Sequence, residues 1–347
     1  MQNKRKLIWI FIAAALMVLT FKTVLSLSEN LSFASLLETL SRSNHIYLTL
    51  AVVSMCAYIA FKGMTFFILL DTFGNRRSVA NCLLFSAGDL YFSAVTPSAS
   101  GGQPMCLYFM LKSGINAAAA AVTLIVSLLS IAVAALITGV AAFVMHFDMF
   151  MAVDLVPRLC VIGGVVILLL LICSSSLLLA KGGIILRVGI RVIRFLHKLR
   201  IIKKPDKLIA RLRRVVEQYK ECVKMTRGKG KRMILVLIMA LGHKVTQIST
   251  TMLVHLALGG DPALASNVWA STSFAQLGSG CFPMPGGMGI VDYLLYCFFT
   301  LMMPRDKAIE LELISRSVAC YLCIIICGLG TLAGVIVYRV RKRGILE

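Results

Sequence analysis

The sequence predicts an all-α polytopic membrane protein: six full transmembrane helices plus two re-entrant helical hairpins in an inverted repeat. Three observations carry that expectation. Of the 347 residues 59% are hydrophobic, and mean hydropathy is +0.88. Several apolar stretches approach the ~20 residues needed to cross hydrocarbon. Lys and Arg gather between those stretches, as the positive-inside rule expects of cytoplasmic loops. Two Pro/Gly clusters, Pro97-Ser-Ala-Ser-Gly-Gly102 and Pro283-Met-Pro-Gly-Gly-Met-Gly289, interrupt sequence otherwise apolar enough for lipid. Broken backbone at membrane depth leaves peptide groups unpaired, and it survives only against protein or a water-filled cavity. The clusters read either as surface turns or as the tips of hairpins facing one internal site. Sidedness decides for hairpins.

Residues 1–347 are read as a single membrane domain with half-repeats at 7–146 and 158–338. Lys4, Arg5 and Lys6 hold the N-terminus inside, and a first span runs from about Leu7 to Leu27. This stretch is not a signal peptide, because no small-residue cleavage site follows it. Residues 28–44 are polar, an outside loop or surface helix. Span two covers about His45 to Leu70 and returns to Arg76 and Arg77. Lys62 lies within it, one or two turns from the inner interface, where it either snorkels or serves a site.

Residues 79–113 hold the first break. A chain inside at Arg77 and inside again at Lys112 has entered and left on one side. The alanine-rich span 115–146 then ends at a lysine-free loop with Asp148 and Asp154, read as outside. Span 158–180 returns to Lys181.

Residues 181–232 form a basic cytoplasmic loop with 18 Lys and Arg against three acids, which supplies most of the net charge of +21. That distribution excludes nucleic acid as the partner and points to an anionic membrane surface. Arg187, Arg191, Arg194 and Lys198 recur at helical steps among apolar residues, as an interfacial helix requires. Gly228-Lys-Gly-Lys-Arg232 lacks the spacing of a phosphate-binding loop. Span 233–258 carries His243 and Lys244, an expensive pair in lipid that faces either a structural partner or a cavity.

Residues 263–303 repeat the broken pattern, 304–312 form a charged loop, and the last span covers about 313–338. Arg339, Arg341, Lys342 and Arg343 then place the C-terminus inside, so the second hairpin enters from outside. Broken helices meeting near the midplane of an inverted repeat are a carrier architecture. Cys320, Cys323 and Cys327 share one helix and read as packing. No metal ligand set and no cofactor is expected.

The stretch Phe85 to Gly114, with Thr96-Pro97, Gly101-Gly102, Leu111-Lys112 and Gly114, now takes on a second meaning. So does Pro283 to Asp292 followed by Arg316. Over about 7–340 these motifs resemble the flippase-like membrane region of the phosphatidylglycerol lysyltransferase family, also called multiple peptide resistance factor. The resemblance implies a multi-pass protein of the bacterial cytoplasmic membrane that moves aminoacylated phosphatidylglycerol outward and blunts cationic antimicrobial peptides. In full-length relatives a soluble domain transfers lysine from lysyl-tRNA. The residues after the last span hold no counterpart, so a non-enzyme is expected despite the lysyltransferase name. A separate lipid-modifying enzyme becomes an expected partner, and a homo-oligomer is possible. Asp292 stands where relatives commonly carry glutamate, which keeps the charge and shortens its reach.

A lipid translocator needs a polar cavity for a headgroup beside an apolar path for acyl chains. Helix N-termini at the breaks offer N–H groups to phosphate. Gly101, Gly102, Gly286 and Gly287, beside Pro283, allow close backbone approach or tight packing. Asp89 and Asp292 suit a cationic headgroup, while Lys62, Lys244 and Arg316 suit phosphate. The alternative is internal pairing, Asp292 with Arg316 in particular. Ser98, Ser100, Gln103, His243, Gln247, Gln276 and Ser279 complete the candidate lining. Three functions compete: phospholipid translocation first, a small-solute or ion-coupled secondary transporter second. An intramembrane enzyme is third, since no Ser/His or metal constellation has persuasive spacing.

Overall fold

The computed structural model describes residues 41–96, 99–180, 205–226, 228–281 and 289–343, with isolated positions at 186, 187, 190, 191 and 194. Every regular element among them is helical. The expected span over Leu7 to Leu27 lies outside the described residues, as do Pro97, Ser98, Lys198 and residues 282–288.

The centre is an antiparallel pair. Helix α1 (His45–Thr72) starts at Asn44, whose side chain accepts the Ile46 N–H at 3.0 Å. Its partner, α8, spans Gly230–Ala257. Their register is read off side chains: Ser54 Oγ donates to the Thr246 carbonyl at 3.0 Å, and Tyr58 stacks on His243 with ring centroids 4.1 Å apart. At one end Asn44 N–H meets the Ala257 carbonyl at 2.7 Å. At the other, Lys229 Nζ donates to the Thr72 carbonyl at 2.8 Å and Arg232 binds Asp71 at 2.7 Å. Cations at the C-terminal end of α1 also complement its dipole.

Two short antiparallel helix pairs flank this centre. The first joins α2 (Val79–Val95) to α3 (Gly102–Lys112). At 17 and 11 residues neither matches the ~20 of a full span. Ser78 caps α2 through the Asn81 N–H. The mouth of the pair is closed where Arg77 Nη2 donates to the Ser113 carbonyl at 2.9 Å, so the two chain ends meet at one level.

Two longer apolar helices, a short connector and an amphipathic helix pack around this centre. Helix α4 (Ala117–Met145) is capped by Asn116, α5 (Phe147–Ala152) is a short connector, and α6 (Leu155–Ala180) turns Leu159, Ile162, Val166 and Leu170 outward. An outward apolar face of this kind suits lipid. Helix α7 (Pro205–Thr226) buries Val216, Tyr219 and Cys222, and Tyr219 Oη donates to the Leu178 carbonyl at 3.0 Å.

The second short pair is α9 (Ala265–Gly278) and α10 (Ile290–Phe299). Phe274 meets Phe298 at 5.3 Å between ring centroids, and Leu294 lies against Gly278, which makes the pair antiparallel. The last span differs from expectation at its start. Of residues 304–312, expected as a loop, all but Pro304 belong to helix α11 (Arg305–Arg316). Pro304 precedes its first turn, Asp306 sits at the positive end of its dipole, and Ala, Glu and Leu favour helix. A π-helical turn over Ser317–Leu322 then leads into α12 (Cys323–Arg343).

Among the described residues, five helical segments are long and apolar enough to cross a membrane: His45–Thr72, Ala117–Met145, Leu155–Ala180, Gly230–Ala257 and Arg305–Val335. They match five of the six expected spans. The core divides along the α1/α8 axis. Phe66, Leu69, Leu70 and Val236 pack with Phe85, Cys106 and Phe109 of the first pair. Ala51 and Val254 pack with Val291, Leu294 and Leu295 of the second. The two short pairs therefore sit at opposite ends of the central helices. Gly334 and Gly330 of α12 face Leu84 and Ala87 of α2, so α12 ends at the level of Arg76 and Arg77.

Candidate functional site

Two acid–base pairs connect the short helix pairs to the spans, the first buried and the second with its carboxylate partly exposed. The first lies where α2 crosses α1. Lys62 Nζ is 2.6 Å from Asp89 Oδ2, with side chains 9% and 1% exposed. Lys62 is ten residues from the end of α1, or about 15 Å at 1.5 Å per residue, well beyond two turns. At that depth it does not snorkel; it meets Asp89. Gln103 Nε2 of α3 approaches the same carboxylate oxygen at 3.5 Å.

Gly102 explains why Asp89 can meet the start of α3. A Cβ at Gly102 would overlap Ser93 Oγ and both the side chain and carbonyl of Asp89. The close approach expected of this glycine is thus an approach to Asp89. It sets the carboxylate beside the positive end of the α3 dipole. Asp89 Oδ1 is buried and has no hydrogen-bond partner. The site holds an unused acceptor.

On the facing side, His243 Nδ1 contacts the Tyr58 carbonyl at 2.8 Å while its ring stacks on Tyr58. His243 has a structural partner. Its neighbour Lys244 is held by Gln247 Oε1 at 2.9 Å and lies within electrostatic reach of Lys62. Among the described residues no carboxylate forms an ion pair with Lys244.

The second pair lies where α10 meets the last span. Arg316 Nε is 2.6 Å from Asp292 Oδ1, the internal pairing that the sequence raised as an alternative. Asp292 Oδ2 accepts the Gly289 N–H at 2.7 Å, so one carboxylate both starts α10 and holds the span. Gly289 has φ 81°, a left-handed conformation that glycine adopts without strain. Glu312, one turn before Arg316 on the same helix, is buried. Arg316 Nη2 is buried without a partner.

The π-helical turn separates the two pairs. Arg316 precedes it, and Cys323, packed with Ile59 and Leu90 beside the first pair, follows it. Seven residues at ~1.5 Å each put the centres about 10 Å apart along the span. A wide turn of this type is frequent at functional sites.

The remaining candidates are more dispersed. Gly101 N–H donates to Thr96 Oγ1 at 2.8 Å, and Ser100 is exposed. Ser279 Oγ donates to the Gln276 carbonyl at 2.8 Å, a local helix-end bond. Pro283, Gly286, Gly287, Ser98 and Lys198 lie outside the described residues. Arg187, Arg191 and Arg194 are exposed and helical, on the steps expected of an interfacial face. Glu312 and Tyr58 were missed by sequence reasoning. The i, i+4 spacing of Glu312 and Arg316 was the available signal; Tyr58 had none.

A protein-family model described as Lysylphosphatidylglycerol synthase TM region matches residues 7–327. No curated protein and no solved structure matches.

Proposed function

The chain belongs to the lysylphosphatidylglycerol synthase TM region family, and from that membership we propose that it moves a phospholipid between the leaflets of a bacterial cytoplasmic membrane. The carrying observation is that one ion pair ties each short helix pair to a span: the buried Lys62–Asp89 for the first, the partly exposed Arg316–Asp292 for the second. Ionisable groups inside a membrane protein face the bundle interior or a water-filled cavity and mark transport paths. Here they sit at the two places where the chain breaks.

In this reading the short pairs are re-entrant hairpins, entering from opposite sides of an inverted repeat. Their placement at opposite ends of α1 and α8 supports that arrangement. Arg76, Arg77, Lys112 and Arg232 share one end, which becomes the cytoplasmic end, with both termini there. Lys244, which lacks a carboxylate partner among the described residues, suits a lipid phosphate. Asp89 Oδ1 offers an acceptor to a cationic or zwitterionic headgroup. An aminoacylated phosphatidylglycerol carries both charges. Its export would lower the negative surface charge and so blunt cationic antimicrobial peptides, with a transferase acting separately.

The direct experiment reconstitutes the purified protein in vesicles and follows leaflet exposure of labelled phosphatidylglycerol and its lysyl derivative. Protein-dependent redistribution of either is the expected result. No redistribution of any common phospholipid, across pH and ion gradients, would turn the assignment to a small-solute carrier.

Topology has its own test. Single cysteines at Gly101 and Gly280 of a cysteine-free variant should resist bulky impermeant thiol reagents from both sides. Fast labelling of Gly101→Cys from one face and Gly280→Cys from the other would make both breaks surface turns.

A further inference from the structure

We propose that the cavity between α4, α6, α7 and α8 is a lipid site separate from the two ion-pair centres. It takes one acyl chain of an anionic phospholipid whose phosphate rests on Lys220 and Lys224 of α7. The proposal goes beyond the transport reading and does not depend on it, since a lipid held here need not move.

The cavity has a volume of about 320 Å³, at the small end of the ~300–1,000 Å³ of small-molecule sites. Its long walls follow helical steps. Val126, Ser130 and Val133 share one face of α4 at spacings of four and three, and Met233 and Leu237 lie one turn apart on α8. Seven residues from Val126 to Val133 run about 10 Å at ~1.5 Å each. That is most of one leaflet, half of a ~30 Å hydrocarbon core. Met233 follows Arg232, which binds Asp71 at the basic end of the bundle, so the cavity lies in the leaflet at that end.

The lining suits a hydrocarbon chain. Its two hydroxyl groups are already engaged: Ser130 Oγ donates to the Val126 carbonyl at 2.9 Å, and Thr226 Oγ1 to the Val223 carbonyl at 2.6 Å. A polar ligand would give up hydration there without gaining a hydrogen bond in return. A methylene chain has no such loss.

The head of the site comes from α7. Val216, Tyr219 and Cys222 bury the inner face of this helix, Tyr219 fastens it to the Leu178 carbonyl, and Val223 and Thr226 reach the cavity. Lys220 and Lys224 lie one turn apart on α7, Lys224 next to Val223, and both are exposed. Among the described residues neither forms an ion pair. Lys229 and Arg232, by contrast, are taken by the Thr72 carbonyl and Asp71. Glu217 and Glu221 also lie exposed on α7, but segment 181–232 holds 18 Lys and Arg against three acids, so the surface stays cationic. A basic helix beside an apolar slot complements a molecule that is negative at one end and apolar below it. A protein segment filling the slot would leave the two lysines without that complement.

The test uses the full chain in phosphatidylcholine vesicles with a trace of phosphatidylglycerol bearing a photoreactive group on one acyl chain. Crosslinked positions are mapped by mass spectrometry. They should concentrate at 126–133 and 233–237 relative to the outward face of α6 at Leu159, Ile162 and Val166. Unlabelled phosphatidylglycerol should compete roughly tenfold better than phosphatidylcholine, as two surface lysines allow. Ser130→Phe/Leu237→Phe fills the slot and should abolish these crosslinks while those on α6 persist, which also reports that the variant is folded. Lys220→Gln/Lys224→Gln changes only exposed positions, so it decides the matter if the filled variant misfolds. It should keep the crosslinks and lose the preference for phosphatidylglycerol. Wild-type crosslinks no denser in the cavity than on α6, or equal competition by the two lipids, would reduce the site to ordinary boundary lipid. A preference that survives loss of both lysines, or cavity crosslinks that survive filling, would equally overturn it. Ready disulfide formation between Ser130→Cys and a cysteine placed within Leu7 to Leu27 would make the chain's own first span the occupant and overturn the lipid.

Discussion

Replacing Lys62 by methionine is expected to be among the most damaging single changes to this protein. Asp89 is almost wholly buried, and Lys62 is its only ion-pair partner among the described residues. Methionine fills the space of the lysine stem and removes the ammonium group. Gln103 at 3.5 Å and the α3 dipole are then left to hold a bare carboxylate. Breaking one half of a buried pair typically costs about 3–5 kcal/mol, mostly through the charge left behind. The single variant should therefore lose several degrees or more of thermal stability in detergent and extract poorly. The double variant Lys62→Met/Asp89→Leu removes both charges at similar volume and should recover most of that stability, because such replacements are often neutral. If the pair serves transport, the double variant folds but moves no lipid. Transport by a stable double variant would reduce the pair to scaffolding.

Much of this architecture was legible because membrane physics writes it in large letters. Apolar length and the positions of Arg77, Lys112 and Arg232 placed five spans and separated the two broken regions. The mouth of the first helix pair closes at Arg77 and Ser113, beside the basic pair used to infer sidedness. Partners were harder to read. Lys62 and Asp89 are far apart in sequence on different helices, and no period connects them. Asp292 and Arg316 could be suspected only because two expensive charges in one apolar half require an answer. The helix over 305–312 was misread as a loop because a run of charges resembles solvent-exposed turn sequence. Propensity pointed the other way: Ala308, Glu310, Leu311 and Glu312 all favour helix. Reading it as helix would have placed Glu312 on the face of Arg316 at i, i+4 and exposed the second carboxyl of that centre. The π-helical turn left no trace in composition. It depends on packing between elements distant along the chain.

Arg316→Gln should have the second large effect, and of a different kind. Its guanidinium is the only cation of the described residues in contact with Asp292, and Glu312 lies beside it. Glutamine keeps a donor and much of the stem but leaves two acids with no positive charge. Removing one partner of a buried pair costs about 3–5 kcal/mol, and the one-third exposure of the Asp292 side chain puts this loss at the lower end of that range. Thermal unfolding in detergent should show a lower melting temperature than wild type, and Arg316→Lys, which restores the charge without the planar guanidinium, should recover part of it. Lipid redistribution by whichever variant folds asks whether the guanidinium also serves transport. Arg316→Gln as stable as wild type would mean that the charge of Arg316 does not hold α10 to the last span.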